Sequence, residues 1–262
     1  MPAPPTSTRS AFEQPQWYFD KLNYRIQLRS EIVKEMTKGM RLIRLLDIGC
    51  GDGSISLPLL TAERRLVLLD MSDAMLQRAR SRSPSDLLGN LEFISGDFQH
   101  VDLGTRSFDL VICLGVLSYV RSIEPFLAKL ASIVAPGGSL IIECSDSEHF
   151  MSRIQAAFTI VCGALWRPSV QIELNKHSEE TMSRQLQKLG LTLLRGFRYS
   201  TPLPVIRRLL SQNIHYRVNR VIHGNAARKR AQWLGTECIC FFRRRLDEQG
   251  APSLCNAEVV LT

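Results

Sequence analysis

The residues with the most chemical content sit where apolar runs end. Leu45-Leu46-Asp47-Ile48 leads into Gly49-Cys50-Gly51-Asp52-Gly53, so glycines alternate directly after a strand-like segment. That spacing lets the chain turn sharply and bring its backbone against a ligand. A dinucleotide loop opens in the same way and rests a pyrophosphate on the next helix. Here the turn is flanked by two carboxylates, Asp47 and Asp52, which suit a bound ammonium or sulfonium better than a diphosphate. The next apolar run, Val67-Leu68-Leu69, ends in Asp70, placed to accept from both hydroxyls of a ribose, and Met71 follows where it can lie against an adenine face. A third run leads into Ser95-Gly96-Asp97-Phe98, where Asp97 can accept from an adenine amino group and Phe98 can stack. Taken singly, each acid reads more often as a helix cap or turn former. Their recurrence at successive strand ends is what points to a nucleoside.

Alternating elements must carry these residues. Leu42 to Ile48, Arg65 to Leu69, Leu91 to Ser95, Phe108 to Leu114 and Ser139 to Cys144 read as five strands. Each is a continuous apolar run, as a parallel sheet covered on both faces requires. Between them, Ser54 to Thr61, Ser72–Asp73 to about Arg80, and Ile123 to Val134 read as helices, the last halted by Pro136-Gly137-Gly138. Such β-α units give a doubly wound sheet whose ligands lie outside the carboxyl ends of the strands. An amphipathic helix over Trp17 to Lys38 precedes this core. Helices over Phe150 to Trp166 and Glu179 to Leu189 follow it, the second with Ser178 as N-cap, and Leu191 to Tyr199 and Glu237 to Arg243 read as two last strands.

In order and spacing, Leu45–Gly53, Leu66–Arg80, Leu91–Phe98, Phe108–Val120 and Leu130–Glu143 resemble the class I S-adenosylmethionine methyltransferases. The likeness is to the broad group that includes the ubiquinone and menaquinone biosynthetic enzymes. The resemblance implies an α/β fold, a doubly wound and mostly parallel seven-stranded sheet with a helical cap. It implies S-adenosylmethionine as cofactor and S-adenosylhomocysteine as product. Gly49 and Gly51 would then contact the methionine moiety, with Asp47 beside them, and Asp70 the ribose. Asp97 and Phe98 would contact the adenine, and the Leu114 backbone the methionine end. Family members often carry Glu-His where this chain has Ser118-Tyr119. That departure removes one candidate base.

Methyl transfer is an in-line attack on a sulfonium carbon, so alignment is the main requirement. A base helps when the acceptor is a hydroxyl. Candidates cluster after strand five: Glu143, Asp146, His149 and His177, with Tyr119 as a donor from the loop after strand four. A histidine near a helix start also reads as a surface or capping residue. On the N-terminal helix, Trp17, Tyr18, Phe19 and Tyr24 can wall the pocket, and Arg25 or Arg29 can meet the methionine carboxylate; an ordinary packing helix is the equal alternative. The Asn/Asp-Pro-Pro-Tyr/Phe signature of amino-directed nucleic-acid and glutamine methyltransferases does not follow strand four. The expected acceptor is a small, mostly apolar metabolite, methylated at oxygen or, second, at carbon. A cofactor-binding member with a non-methylating role and a nucleic-acid methyltransferase are the other readings.

At 262 residues, 45% hydrophobic and 22% charged, the chain suits one globular domain. That domain is expected over residues 12–245, with cap elements at 12–40, 147–189 and 202–232 and loose tails at 1–11 and 246–262. No apolar run reaches the roughly 20 residues of a membrane span, and residues 1–10 lack a signal peptide's apolar core. Seven cysteines form no Cys-x-x-Cys pair, so no metal site and a reduced, cytoplasmic setting are expected. The net charge of +8 is local: Arg198 to Trp233 holds eight basic residues and no acid. Nucleic acid is not favoured there, because Tyr216 and Trp233 are too far apart for a stacking platform. Within it, Ile206, Leu210, Ile214, Val218 and Val221 recur at helical spacing, while Arg207, Arg208, His215, Arg217 and Arg220 fall largely off that stripe. A helix over 203–222 is therefore expected, with two readings. Either its apolar face packs on the sheet, or it touches an anionic membrane and draws in an acidic or lipid-like acceptor.

Overall fold

The computed structural model describes residues 15–146, 148–154, 175, 177–200 and 211–246, with side chains from Tyr24 onward. Seven strands form one sheet in the order β3-β2-β1-β4-β5-β7-β6. They are β1 (Arg44–Ile48), β2 (Arg65–Asp70), β3 (Leu91–Ser95), β4 (Phe108–Cys113), β5 (Val134–Ser145), β6 (Leu191–Tyr199) and β7 (Glu237–Arg244). β1 to β5 pair in parallel, and β7 runs antiparallel between β5 and β6. The helices are α1 (Pro15–Thr37), α2 (Asp73–Arg82), α3 (Ile123–Ile133), α4 (Glu179–Lys188) and α5 (Gln212–His223).

The central strands are buried on both faces, which is why they read as unbroken apolar runs. Leu46, Ile48, Val111 and Ile142 pack under α3 and α4, and Leu45, Leu68, Leu110 and Ile141 under α1. On α1, Leu28, Ile32 and Met36 fall on one face at four-residue spacing, and all three are buried. Truncating Leu28 to alanine would cost about 2–5 kcal/mol. Ser72 and Ser178 cap α2 and α4 by accepting from the N–H groups of Met75 and Thr181.

Two local readings are corrected. Residues 54–61 form only a 3-10 turn, Leu57–Leu59, with Pro58 in its first positions and too little length to continue. β5 starts at Val134, because Val134 pairs with Phe108 before Pro136-Gly137-Gly138 shifts the register. The helix expected from Phe150 is present at 150–154; the rest of it, and residues 203–210 of the helix expected over 203–222, with Ile206, Arg207, Arg208 and Leu210, lie outside the described residues.

The largest correction concerns α5, whose described apolar residues Ile214 and Val221 do not pack on the sheet. Its buried residues are His215, Asn219 and His223. Ile214 and Val221 are 45% and 65% exposed. The neighbour explains the inversion, since α1 presents polar groups there. Tyr216 donates to Glu31 at 2.7 Å, Arg220 pairs with Glu31 and, at 3.2 Å, with Glu35, and the His215 ring stacks on Tyr24. Asn219 accepts from the Ser200 N–H at 3.0 Å.

Candidate cofactor and acceptor site

At the carboxyl end of β1, Gly49 turns the chain with φ +69°, and a Cβ there would meet Val116 Cγ2 at 2.4 Å. Gly51 has φ +55° and nothing within 4 Å of a would-be Cβ, so its open side faces free space. Its N–H donates to Asp70 Oδ2 at 2.8 Å, and Asp70 Oδ1 accepts from the Ser72 N–H at 2.9 Å. Burial pushes the Asp70 carboxyl up, and these backbone donors oppose the shift. Around them opens a crevice outside the carboxyl ends of the strands. It lies between β1 and β4, where the strand order reverses, the position at which doubly wound sheets hold ligands.

Gly49, Gly51, Asp70, Met71, Asp97, Phe98, Leu114 and Tyr119 all line this crevice. Asp97 is half-occupied, accepting from the Gln99 N–H at 3.0 Å and meeting the His100 ring at 2.9 Å. Phe98 borders the crevice but is buried, with its ring edge-on to Phe126 and the Lys129 ammonium 5.0 Å from its centroid.

The acids of the glycine turn are used differently from the expectation. Asp47 lies beneath the loop, where it accepts from Ser56 Oγ at 2.6 Å, and burial pushes its carboxyl up to about 7. Its place on the strand aims it at the 3-10 turn and away from the crevice. Asp52 pairs with Arg82 and accepts from Ser54 Oγ at 2.6 Å. Both therefore brace the turn. The Tyr18 side chain lies outside the described residues. Arg25 lines no part of the crevice; it reaches Glu237 at 3.4 Å and Ser200 Oγ at 3.0 Å. Arg29 comes closer, because its guanidinium would lie 3.2 Å from a Cβ on Gly115, a crevice residue. It is held there by Glu143 at 2.6 Å, and Glu143 also accepts from the Tyr199 hydroxyl.

The two histidines separate. His177 Nε2 lies 2.9 Å from the Val120 carbonyl, which can only accept, so Nε2 is the donor and Nδ1 is the nitrogen left for another partner. Val120 is a crevice residue, whereas His177 does not itself line the crevice and stands behind that wall. His149 sits in a second groove with Asp146, Glu179 and Arg198. Its Nδ1 accepts from the Met151 N–H at 3.3 Å, and its ring also bonds the Trp233 backbone. Desolvation, then Arg198, lowers its pKa. His149 thus caps a helical turn, with both nitrogens engaged. Asp146 is tied to Arg198 at 2.8 Å.

Sequence reading missed a polar row at the carboxyl edge. Glu237, opening β7, accepts from Ser145 Oγ at 2.6 Å, and Ser145 lies 3.5 Å from Ser118 Oγ. The signal was absent because Glu237 stands 92 positions from Ser145. A second omission is that Cys238 and Cys240, two apart on β7, bring their sulfurs to 3.5 Å beside Glu179. The Glu179 carboxylate is already paired with Arg198.

Residues 40–220 match the family model described as "Methyltransferase domain". A ubiquinone biosynthesis O-methyltransferase of Rickettsia conorii is 25% identical over 122 residues, 47% of this chain and 41% of that protein. The ubiquinone/menaquinone biosynthesis C-methyltransferase UbiE of Methylobacterium nodulans is 34% identical over 113 residues, 42% of this chain and 44% of that protein. The chain thus spans less than half the length of these curated relatives. In fold it resembles a SAM-dependent methyltransferase of Thermotoga maritima, described as a possible histamine N-methyltransferase. The TM-score is 0.61 at 17% sequence identity, covering 90% of this chain and 99% of that one.

Proposed function

This chain belongs to the methyltransferase-domain family, and from that premise we propose that it is an S-adenosylmethionine-dependent methyltransferase of small, mostly apolar acceptors, acting at oxygen. The observation that carries the reading is the Asp70–Gly51 hydrogen bond. It locks the glycine turn and leaves the remaining carboxylate lone pairs toward the crevice, where a ribose offers two hydroxyl donors. The rest of the crevice fits an adenosine joined to an amino acid. Met71 and Phe98 offer apolar contact for adenine, and Asp97 accepts from its amino group. The Gly49–Gly51 and Leu114–Gly115 backbones border the amino-acid end, with the Arg29 cation beside Gly115 for a carboxylate.

When bound, the cofactor supplies an electrophilic methyl on a sulfonium. The protein's part is to hold the acceptor in line with it and, for a hydroxyl, to take the proton. His177 suits that task through Nδ1, because its Nε2–H is committed to Val120. Calorimetry with S-adenosylhomocysteine, followed by transfer of a labelled methyl group from S-adenosylmethionine into organic-soluble metabolites, tests the proposal. Tight binding and label in the organic phase are expected. Binding of NADH in place of S-adenosylhomocysteine would overturn it.

A further inference from the structure

A helix that turns polar residues inward leaves its apolar residues needing a partner. On α5, His215, Asn219 and His223 occupy one face and are buried against α1 and the end of β6. Ile214, Val218 and Val221 follow a different face, on which Val218 is half-buried and Ile214 and Val221 stand in solvent. Cations border the stripe. Arg217 lies on the helix beside it, and Arg228, Lys229 and Arg230 follow directly; all four are exposed. Arg217, Arg228 and Lys229 form no ion pair among the described residues, whereas Arg198 and Arg220 are consumed by Glu179, Glu31 and Glu35. The patch therefore combines aliphatic groups with unneutralised positive charge.

An aromatic pair extends it. The Ala231 N–H donates to the Ile222 carbonyl at 3.0 Å, which ties the following turn, Gln232–Leu234, to the end of α5. From that turn the exposed Trp233 ring stacks on the exposed Phe150 ring at 6.0 Å. Tryptophan beside aliphatic groups and cations is the composition that settles at a bilayer interface.

The position of the patch gives it direction. β6 runs parallel to β5, since both are antiparallel to β7. The β6–β7 connection that contains α5 thus leaves the sheet at its carboxyl edge, the edge that carries the crevice. We propose that α5 docks this protein on an anionic lipid bilayer. Ile214, Val218 and Val221 enter the interface, Arg217, Arg228, Lys229 and Arg230 meet the headgroups, and the crevice mouth faces the membrane. The charge complementarity selects anionic lipid over a zwitterionic surface. Docking itself does not depend on methyl transfer.

The test is flotation of the full chain with vesicles of phosphatidylcholine alone or with added phosphatidylserine, at low and moderate salt. Binding only to the anionic vesicles, weakened by salt, is expected. Each replacement of Arg217, Arg228, Lys229 or Arg230 by Gln should weaken it about fivefold, the factor matching about 1 kcal/mol per surface cation. Ile214→Gln with Val221→Gln should weaken it about tenfold or more, with the melting temperature unchanged because both side chains are exposed. No binding to anionic vesicles at low salt overturns the proposal. So does binding that ignores the apolar pair, or stronger binding to nucleic acid. A marked loss of thermal stability in the apolar variant would mean that the chain's own segments cover the stripe. A dimer that this variant dissolves would mean that a second copy does. Either result would also overturn it.

Discussion

Asp70 at the end of β2 accepts the Gly51 N–H at 2.8 Å, so the carboxylate placed for a ribose is also the clasp of the glycine turn. Its removal should act twice, on the ligand contact and on the shape of the loop. Asp70→Ala is expected to weaken S-adenosylhomocysteine binding by about tenfold or more, since charge-assisted hydrogen bonds are lost. Calorimetry reads this directly, and unchanged affinity would take Asp70 out of the site.

Asp47 supports the same turn from below, and its effect should depend on pH. Burial raises its carboxyl to about 7 in the folded protein. A carboxyl raised above its unfolded value stabilises fully below that unfolded value, and the contribution is lost as pH rises through about 7, at about 1.4 kcal/mol per pH unit within the window. Asp47→Asn keeps an acceptor for Ser56 and removes the titration. In urea melts it should gain stability relative to wild type at pH 8 and little at pH 4. An equal difference at both would reject the assignment.

His177 and His149 should part in kinetics. With a hydroxyl acceptor, His177→Ala is expected to lower kcat about a hundredfold, the ordinary cost of losing a general base. His149→Ala should leave kcat nearly intact and loosen the 150–154 turn, whose Met151 N–H loses its acceptor. Full activity of the His177 variant would point to a carbon acceptor or an already ionised oxygen.

The buried Arg29–Glu143 pair, at 2.6 Å, ties α1 to β5. Glu143→Ala strands a cation in the interior and should cost about 3–5 kcal/mol. Adding Arg29→Met to it should recover a large part of the loss. A denaturant double-mutant cycle measures the coupling, and additive losses would mean that the two side chains act independently.

The sequence alone determined the sheet, the chain order of its parallel strands and the crevice residues at their ends. Each of those strands is an apolar run closed by its own Gly or Asp, so Gly49, Gly51, Asp70, Asp97 and Leu114 are legible from local pattern. Which carboxylate faces a ligand was not legible. Asp47 and Asp70 both end strands, yet Ser56 holds the first beneath the loop and Gly51 draws the second to its rim. Distance along the chain hid the partnerships of Arg29 with Glu143 and of Glu237 with Ser145. The orientation of α5 belongs to the tertiary structure alone. Helical periodicity marks two faces but not which one is buried, and Glu31, Glu35 and Tyr24 on α1 offered a surface that only the polar face could satisfy.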